Sequence, residues 1–422
     1  MSHDVESLLI DDFGPLPVRR PTSVAELCGH VKEAASSGQG VYPVGGRTTL
    51  DVGSPPIKPG IALDTTALDQ VIDYPARDMT ITVQAGITMA KLQATLAAEG
   101  QWLPIDVPNP EQSTIGGAVA LNKSGPRRYG YGTLRDYVIG ISFATDEGNE
   151  VKAGGRVVKN VAGYDLMKLQ VGAVGTLGVV TQLTLKVKPR PETSAMVLFG
   201  SGSGGYVPEL LDLLHASKSR PVAVQVLSPS VTRRVPLGVR GFGYVLGFEE
   251  KSETVEWQIK TLRSELARAR ENAIHEIVEL RGAEVGPLWR ALTELQSRLE
   301  SQVIYKVSTR PSRVASYFAR SAAGGPDLLF AEALSGIVWG ASEGDANEAM
   351  GADRLRELID SPSAPQSERD EASVAIRRCP TAWKKSLPIW GKPGSDRELM
   401  RHVKRTLDPM NVFNPGRLFG DL

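Results

Sequence analysis

Cysteine is scarce in this chain: Cys28 and Cys379 are the only two among 422 residues. Two thiols cannot build a disulfide framework, nor supply the four ligands of an iron–sulfur cluster, and they fit a reducing compartment. An excess of one charge is missing too. Lys plus Arg and Asp plus Glu both total 48, a formal net charge of +0, so no overall field draws the chain to nucleic acid or an anionic membrane. No apolar run reaches the roughly 18 residues of a membrane span. The opening residues, MSHDVESLLIDDFG, are acidic where a secretory leader is basic. Histidine is thin as well. His3, His30, His215, His275 and His402 stand singly, with His215 and His275 in helical patterns and without the clustering of a metal centre. The expectation is a soluble, cytoplasmic protein without a nucleic-acid partner or a membrane span of its own.

What is present is glycine (43) and proline (28) against a hydrophobic content of 41%. At this length two or three domains are expected. Val24, Leu27 and Val31 share one face of a helix that starts after Thr22-Ser23 and stops at Gly38. Strands and helices alternate through the first hundred residues, an α/β signature. A loop-rich stretch from Pro104 to Gly132 follows, then a hairpin around Asp146–Gly148 and a long β-rich run closing at Pro189. Beyond Pro191 strand-like runs such as VAVQVLS and QVIYKVS alternate with helical ones. The clearest helix carries Val255, Ile259, Leu262 and Leu266.

Three segments carry candidate chemistry. In Pro43-Val44-Gly45-Gly46-Arg47-Thr48-Thr49, glycines remove Cβ atoms, so backbone N–H groups can converge on a phosphate while threonine hydroxyls add donors. A left-handed backbone at either glycine would add a second reason for its presence. The turn lacks the spacing of a Rossmann fingerprint or a P-loop, and alone it reads more readily as a plain hairpin. In PNPEQSTIGGAVALNKSG, from Pro108 to Gly125, small residues leave room for a flat ring, and Thr114 offers a hydroxyl. A tightly packed helix start is the alternative. In VGAVGTLGVVT, Gly172, Gly175 and Gly178 recur three apart, which suits a close nucleotide or a glycine-rich hairpin.

Together, in this order, the three segments resemble the FAD domain of the vanillyl-alcohol-oxidase-type flavoproteins, the PCMH type. The tail LDPMNVFNPGRL is similar to that family's closing motif. More narrowly, GRVVKNVAGYDLMKL followed by GTLGVVTQLTLKVKPRP resembles the E subunits of bacterial glycolate oxidases. The resemblance implies an α+β fold. A two-lobed FAD-binding domain over residues 12–191 leads to a mixed α/β cap over 192–378, an antiparallel sheet with helices on one face. Residues 379–422 return to the FAD domain. It implies non-covalent FAD, with the pyrophosphate at Pro43, Gly45, Gly46, Arg47, Thr48 and Thr49. Pro108, Thr114, Ile115, Gly116, Gly117 and Ala120 border the phosphate and ribityl chain, Val179 and Val180 the adenine, and Gly125 the flavin ring.

The function so implied is that of a flavin subunit in a glycolate (2-hydroxy-acid) oxidase complex. Its partners would be a related catalytic flavoprotein and an iron–sulfur subunit, and any membrane attachment would come through those subunits. Catalytic relatives read Gly-Ser-Glu-Gly where this chain has Gly172-Ala173-Val174-Gly175, so a carboxylate is missing. Oxidation of a 2-hydroxy acid also needs a base and a cation for the carboxylate, and no residue is assigned as catalytic. Two other readings stay open: a self-sufficient FAD-dependent 2-hydroxy-acid dehydrogenase, and a flavin-free structural subunit. Arg127, Arg128, Tyr129, Tyr131, Lys159 and Tyr164 are candidates to approach the flavin or a substrate carboxylate, or are ordinary surface groups. Trp383 to Lys385 and Pro388 to Gly391 suit an interface or a buried seam.

Overall fold

A computed structural model describes residues 6–155, 165–202, 206–269, 274–298, 301–322, 328–342, 351–360 and 372–420. The chain divides into two compact units. One comprises Met1–Lys123, Thr133–Arg190 and Lys384–Leu422, the other Ser124–Gly132 and Pro191–Trp383. The second unit thus opens at Pro191, runs on to Trp383 rather than 378, and takes in Ser124–Gly132, expected above within the FAD domain.

The first unit has two lobes. In one, Ser7–Ile10, Phe13–Arg19, Gly60–Asp64 and Gly40–Val44 form a four-stranded sheet in that order. Gly60–Asp64 runs parallel to both of its neighbours. Its helix, Val24–Ser36, starts where Ser23 Oγ accepts a hydrogen bond from the Glu26 N–H at 3.2 Å. Leu27, Cys28, Val31 and Ala34, at helical spacing, are buried against Val41, Ile61 and Leu63. In the other lobe, five antiparallel strands lie in the order Val71–Asp73, Thr80–Gln84, Val179–Lys186, Val138–Ala144, Glu150–Gly154. Helices Met89–Ala97 and Ile115–Ala120 bury their apolar residues on this sheet.

The chain's end joins the first lobe. Val41 N–H donates to the Val412 carbonyl at 2.7 Å and Asn414 N–H to the Val41 carbonyl at 2.9 Å, extending the sheet beside Gly40–Val44. Buried cations hold this tail. Lys404 donates to Thr176 O at 2.8 Å and Phe413 O at 3.0 Å and pairs with Asp408. Lys384 and Arg417 share the carboxylate of Asp11. Burial pushes the Lys404 ammonium below its ordinary value, with Asp408 opposing.

The second unit is one eight-stranded antiparallel sheet. Its order is His275–Arg281, Thr193–Ser201, Phe242–Glu250, Ala223–Leu227, Leu328–Glu332, Ile337–Ala341, Ile304–Ser308, Ser373–Arg378. Phe199 and Tyr244 stack at 4.9 Å on the face where Tyr206 leads into helix Val207–Ala216. The opposite face is not bare. Val285–Arg298 buries Leu288, Trp289, Leu292 and Leu295 there against Met196, Leu198 and Phe330. Helices therefore lie over both faces, because the strands carry apolar residues on each. Among the described residues no helix is long and apolar enough to cross a membrane.

Replacing Lys404 by Met would strand the Asp408 carboxylate, which is 1% exposed, without its cation. Removing one partner of a buried pair costs about 3–5 kcal/mol. Urea unfolding of Lys404→Met should therefore show a clearly lower midpoint; an unchanged midpoint would refute the tethering role.

Candidate functional site

The strand Gly40–Val44 runs straight into the turn Gly45–Thr49, and the reason for its glycines is steric. A Cβ on Gly46 would lie 1.8 Å from the Gln112 carbonyl oxygen, and one on Gly45 would lie 2.3 Å from Thr114 Oγ1. Neither glycine has positive φ. The left-handed residue of the turn is Arg47, at φ 56°. Glycine is required because two backbone segments touch, not because of backbone handedness.

The segment it touches is also fixed locally. Thr114 Oγ1 accepts from the Gly117 N–H at 3.2 Å and caps the short helix Ile115–Ala120. Ser113 Oγ donates to Pro108 O at 2.7 Å and lies 3.1 Å from Thr48 Oγ1, with Lys123 Nζ 3.5 Å from the same Thr48 oxygen.

A cleft opens between these segments. Pro43 and the turn Gly45 to Thr49 line one side; Ser113, Thr114, Gly117 and Ala120 line another. A second cavity shares Pro43, Gly45, Gly117 and Ala120 and adds Gly116, Gly175, Val179 and Val180. Of the residues singled out by sequence, Pro108, Ile115 and Gly125 line neither. Pro108 supplies its carbonyl to Ser113, Ile115 is fully buried in the five-stranded lobe's core, and Gly125 belongs to the second unit.

Lys123, Val174, Asn414 and Arg417 also line the first cleft, and sequence reasoning had not assigned them to the site. Val174 has φ 57°, uncommon for a β-branched residue. Its N–H bonds to Ala120 O at 2.8 Å, and its carbonyl accepts from Asn414 Nδ2 at 2.7 Å. The tail motif could have flagged Asn414, but nothing local points from position 414 to 174.

The cleft's cations have partners. Arg47 bonds to Glu6 at 2.7 Å and Asp64 at 3.2 Å, and Arg417 to Asp11 at 2.7 Å. Burial acts to raise the Asp64 carboxyl, but hydrogen bonds from Thr66 and Arg20 outweigh it and hold it below its usual value. With Lys123 beside Thr48, one wall is rich in N–H donors, hydroxyls and positive charge, a set suited to phosphate oxygens.

The remaining candidates fall elsewhere. Arg127 is committed within the second unit: it holds Glu249 in a forked ion pair at 2.9–3.1 Å and stacks 3.8 Å over the Trp289 ring. Lys159 and Tyr164 lie outside the described residues. His275 sits on a strand, not in the helix its surroundings suggested. Among the described residues no group of three His, Cys, Asp or Glu could hold a metal ion. Trp390 is partly buried and donates to Arg417 O at 3.0 Å.

Known proteins agree with this geometry. Residues 15–154 match the family model described as an FAD binding domain. Over 96% of this chain and 89% of its own length, a D-2-hydroxyglutarate dehydrogenase of Xanthomonas citri pv. viticola is 26% identical. Glycolate oxidase subunit GlcE of Escherichia coli is 41% identical, over 136 residues covering 32% of this chain and 39% of that protein. An alkyldihydroxyacetonephosphate synthase structure has the same fold at a TM-score of 0.66 and 16% identity, covering 95% of this chain and 77% of its own. The chain carries a PCMH-type FAD-binding domain and is an FAD-dependent oxidoreductase.

Proposed function

We propose that the protein is an FAD-dependent 2-hydroxy-acid dehydrogenase. The observation that carries this is the reach of the similarity. Two relatives aligned over 96% of the chain are both D-2-hydroxyglutarate dehydrogenases, whereas the match to the glycolate oxidase subunit is confined to 136 residues. A second reading keeps the chain as a flavin subunit beside a catalytic flavoprotein and an iron–sulfur subunit. It is favoured by the higher identity of that shorter stretch and by Val174 standing where a carboxylate was expected. The flavin-free reading fits poorly, since residues 15–154 match an FAD binding domain and Gly117 leaves one cleft wall without a side chain.

In this reading the backbone of Gly45 to Arg47, with the hydroxyls of Thr48, Thr49 and Thr114, holds the FAD pyrophosphate, while Lys123 and Arg417 offset its charge. Gly116, Gly117 and Ala120 leave room for the ribityl chain, and Val179 and Val180 border the adenine. Asn414 fixes the strained Val174 carbonyl and so the wall between the two cavities. Bound flavin supplies the hydride acceptor for oxidation of the carbon bearing the hydroxyl.

Three tests follow from this assignment. A Cβ on Gly117 meets only Thr114 Oγ1, at 3.2 Å, so Gly117→Val should fill the cleft without moving backbone. Flavin affinity should fall about tenfold or more, with the melting temperature of flavin-free protein nearly unchanged; full flavin content would remove the cleft from contention.

Among the described residues none that lines the two cavities is Cys, His or Tyr. Acid precipitation should leave the yellow colour in the supernatant, and a coloured pellet would contradict non-covalent binding.

Anaerobic stopped-flow mixing of the lone chain with D-2-hydroxyglutarate, D-lactate or glycolate should bleach the flavin. Colour that persists with all three, and bleaches only after a second flavoprotein is added, would favour the subunit reading.

A further inference from the structure

The chain crosses from the first unit to the second between Lys123 and Ser124, and these two neighbours are held by different partners. Lys123 lines the flavin cleft, with its Nζ 3.5 Å from Thr48 Oγ1. Its N–H donates to Ala118 O at 2.9 Å, within the helix Ile115–Ala120. Ser124 is buried. Its carbonyl accepts from Gln296 Nε2 at 2.9 Å, and its hydroxyl accepts from Arg128 Nη1 at 3.2 Å. Consecutive Cα atoms stand only about 3.8 Å apart across a planar peptide. Whatever holds the Ser124 backbone therefore limits where the Lys123 side chain starts.

The grip on this segment comes from one helix. Val285–Arg298 carries both Trp289 and Gln296, seven residues apart and so two turns along the same face. Trp289 takes the Arg127 guanidinium 3.8 Å from the centre of its ring, and its own indole is fixed by the bond from Nε1 to Ser194 Oγ at 3.1 Å. Gln296 takes the Ser124 carbonyl. Ser124–Gly132 is thus fastened at two points along one helix, and near its far end by the Gly130 N–H on Val222 O at 2.9 Å. Of these contacts, the Gln296 bond is the one that acts on the backbone beside Lys123.

We propose that Gln296 is a positioning residue for the flavin cleft: by holding the Ser124 carbonyl it sets the reach of Lys123 towards Thr48 and the FAD pyrophosphate. The proposal rests on the placement of that pyrophosphate at the Gly45–Thr49 turn, and not on which substrate is oxidised. Lysine carries its charge on a flexible four-carbon stem, which loses much freedom when it is held in one geometry. Anchoring the backbone at its root leaves fewer arrangements to give up when a phosphate arrives, so the ligand binds more tightly for the same contacts. Gln296 itself lines neither cavity, and its influence on the flavin passes through Lys123.

The test is a double-mutant cycle on the full chain, read as FAD affinity from the change in flavin fluorescence when flavin-stripped protein is titrated. Gln296→Ala should weaken FAD binding by about 3- to 10-fold, the worth of one hydrogen bond. Lys123→Met should weaken it by about tenfold or more. In the Lys123→Met background Gln296→Ala should change affinity by less than about twofold, because the group it positions is gone. A residue that only supports the fold would give the same loss in both backgrounds, and that result overturns the proposal. So does Gln296→Ala protein whose affinity stays within about twofold of wild type. Gln296→Glu keeps the size and removes the donor, and it carries the test, with the same losses expected, if Gln296→Ala fails to fold. Lys123→Met protein that binds FAD as tightly as wild type removes the pyrophosphate placement beside Lys123, and the proposal with it. Weak binding by Lys123→Met without any loss in Gln296→Ala leaves that placement standing and removes the positioning role alone.

Discussion

The flavin domain depends on one close approach, the backbone of Gly45 and Gly46 against Gln112 to Thr114. At 1.8 Å from a carbonyl oxygen no Cβ can stand, so the two segments meet only because both positions are glycine. The consequences spread from there. Thr114 is at once the wall that Gly45 touches, the cap of Ile115–Ala120 and a lining residue of the cleft. Ser113 ties the same segment to Pro108 and, through Thr48, back to the turn. A cleft whose hydroxyls are already bonded to one another does not need to be organised by its ligand, which lowers the ordering cost of binding.

That cleft is completed from the far end of the chain. Asn414 and Arg417 line it, and both are held by buried polar contacts rather than by apolar packing. Arg417 donates to the carbonyls of Leu50 and Ser54 as well as to Asp11. Asn414 grips the carbonyl of Val174, whose positive φ is costly for a β-branched side chain. Such a conformation persists only where its surroundings over-determine it, and here Ala120 and Asn414 do so from two sides. Buried cations of this kind give position more than stability, since their desolvation offsets most of their attraction. The tail thus specifies the geometry of the site.

These facts also explain which features could be read from sequence. The Gly45-Gly46 turn, the small-residue helix start at Thr114 and the three spaced glycines were legible because each signal lies within a few residues of its effect. The helix at Val24–Ser36 was legible for the same reason, through the period of Val24, Leu27 and Val31. Contacts such as Asn414 to Val174, or Arg417 to Leu50, span more than two hundred residues and leave no local trace. The placement of Ser124–Gly132 in the second unit was hidden likewise. That stretch is held there by Arg127 on Glu249 and by the Gly130 N–H on Val222 O, and neither contact alters its composition. His275 was misread because a strand of alternating charged and apolar residues, HEIVELR, follows a long helix without a strong break.

A subtler signal lay unused in the second unit. VAVQVL, IYKVS and LLFAE are apolar strands interrupted once, by Gln225, Lys306 and Glu332 respectively. A single polar residue in a strand buried on both faces has to find a partner or serve a ligand. Arg127 illustrates the first outcome. Its guanidinium is spent on the Glu249 carboxylate and the Trp289 ring, and Ser194 bonds to both Glu249 and Trp289. That group is closed, with acceptors matched to donors. Around Trp339 the match is less complete: among the described residues Gln225 Nε2 and Trp339 Nε1 are buried without a hydrogen bond. Two polar clusters built on one sheet thus differ, one closed by paired charges and one leaving two buried N–H donors without a hydrogen bond among the described residues. The distinction depends on counting partners on each face, which periodicity alone cannot do.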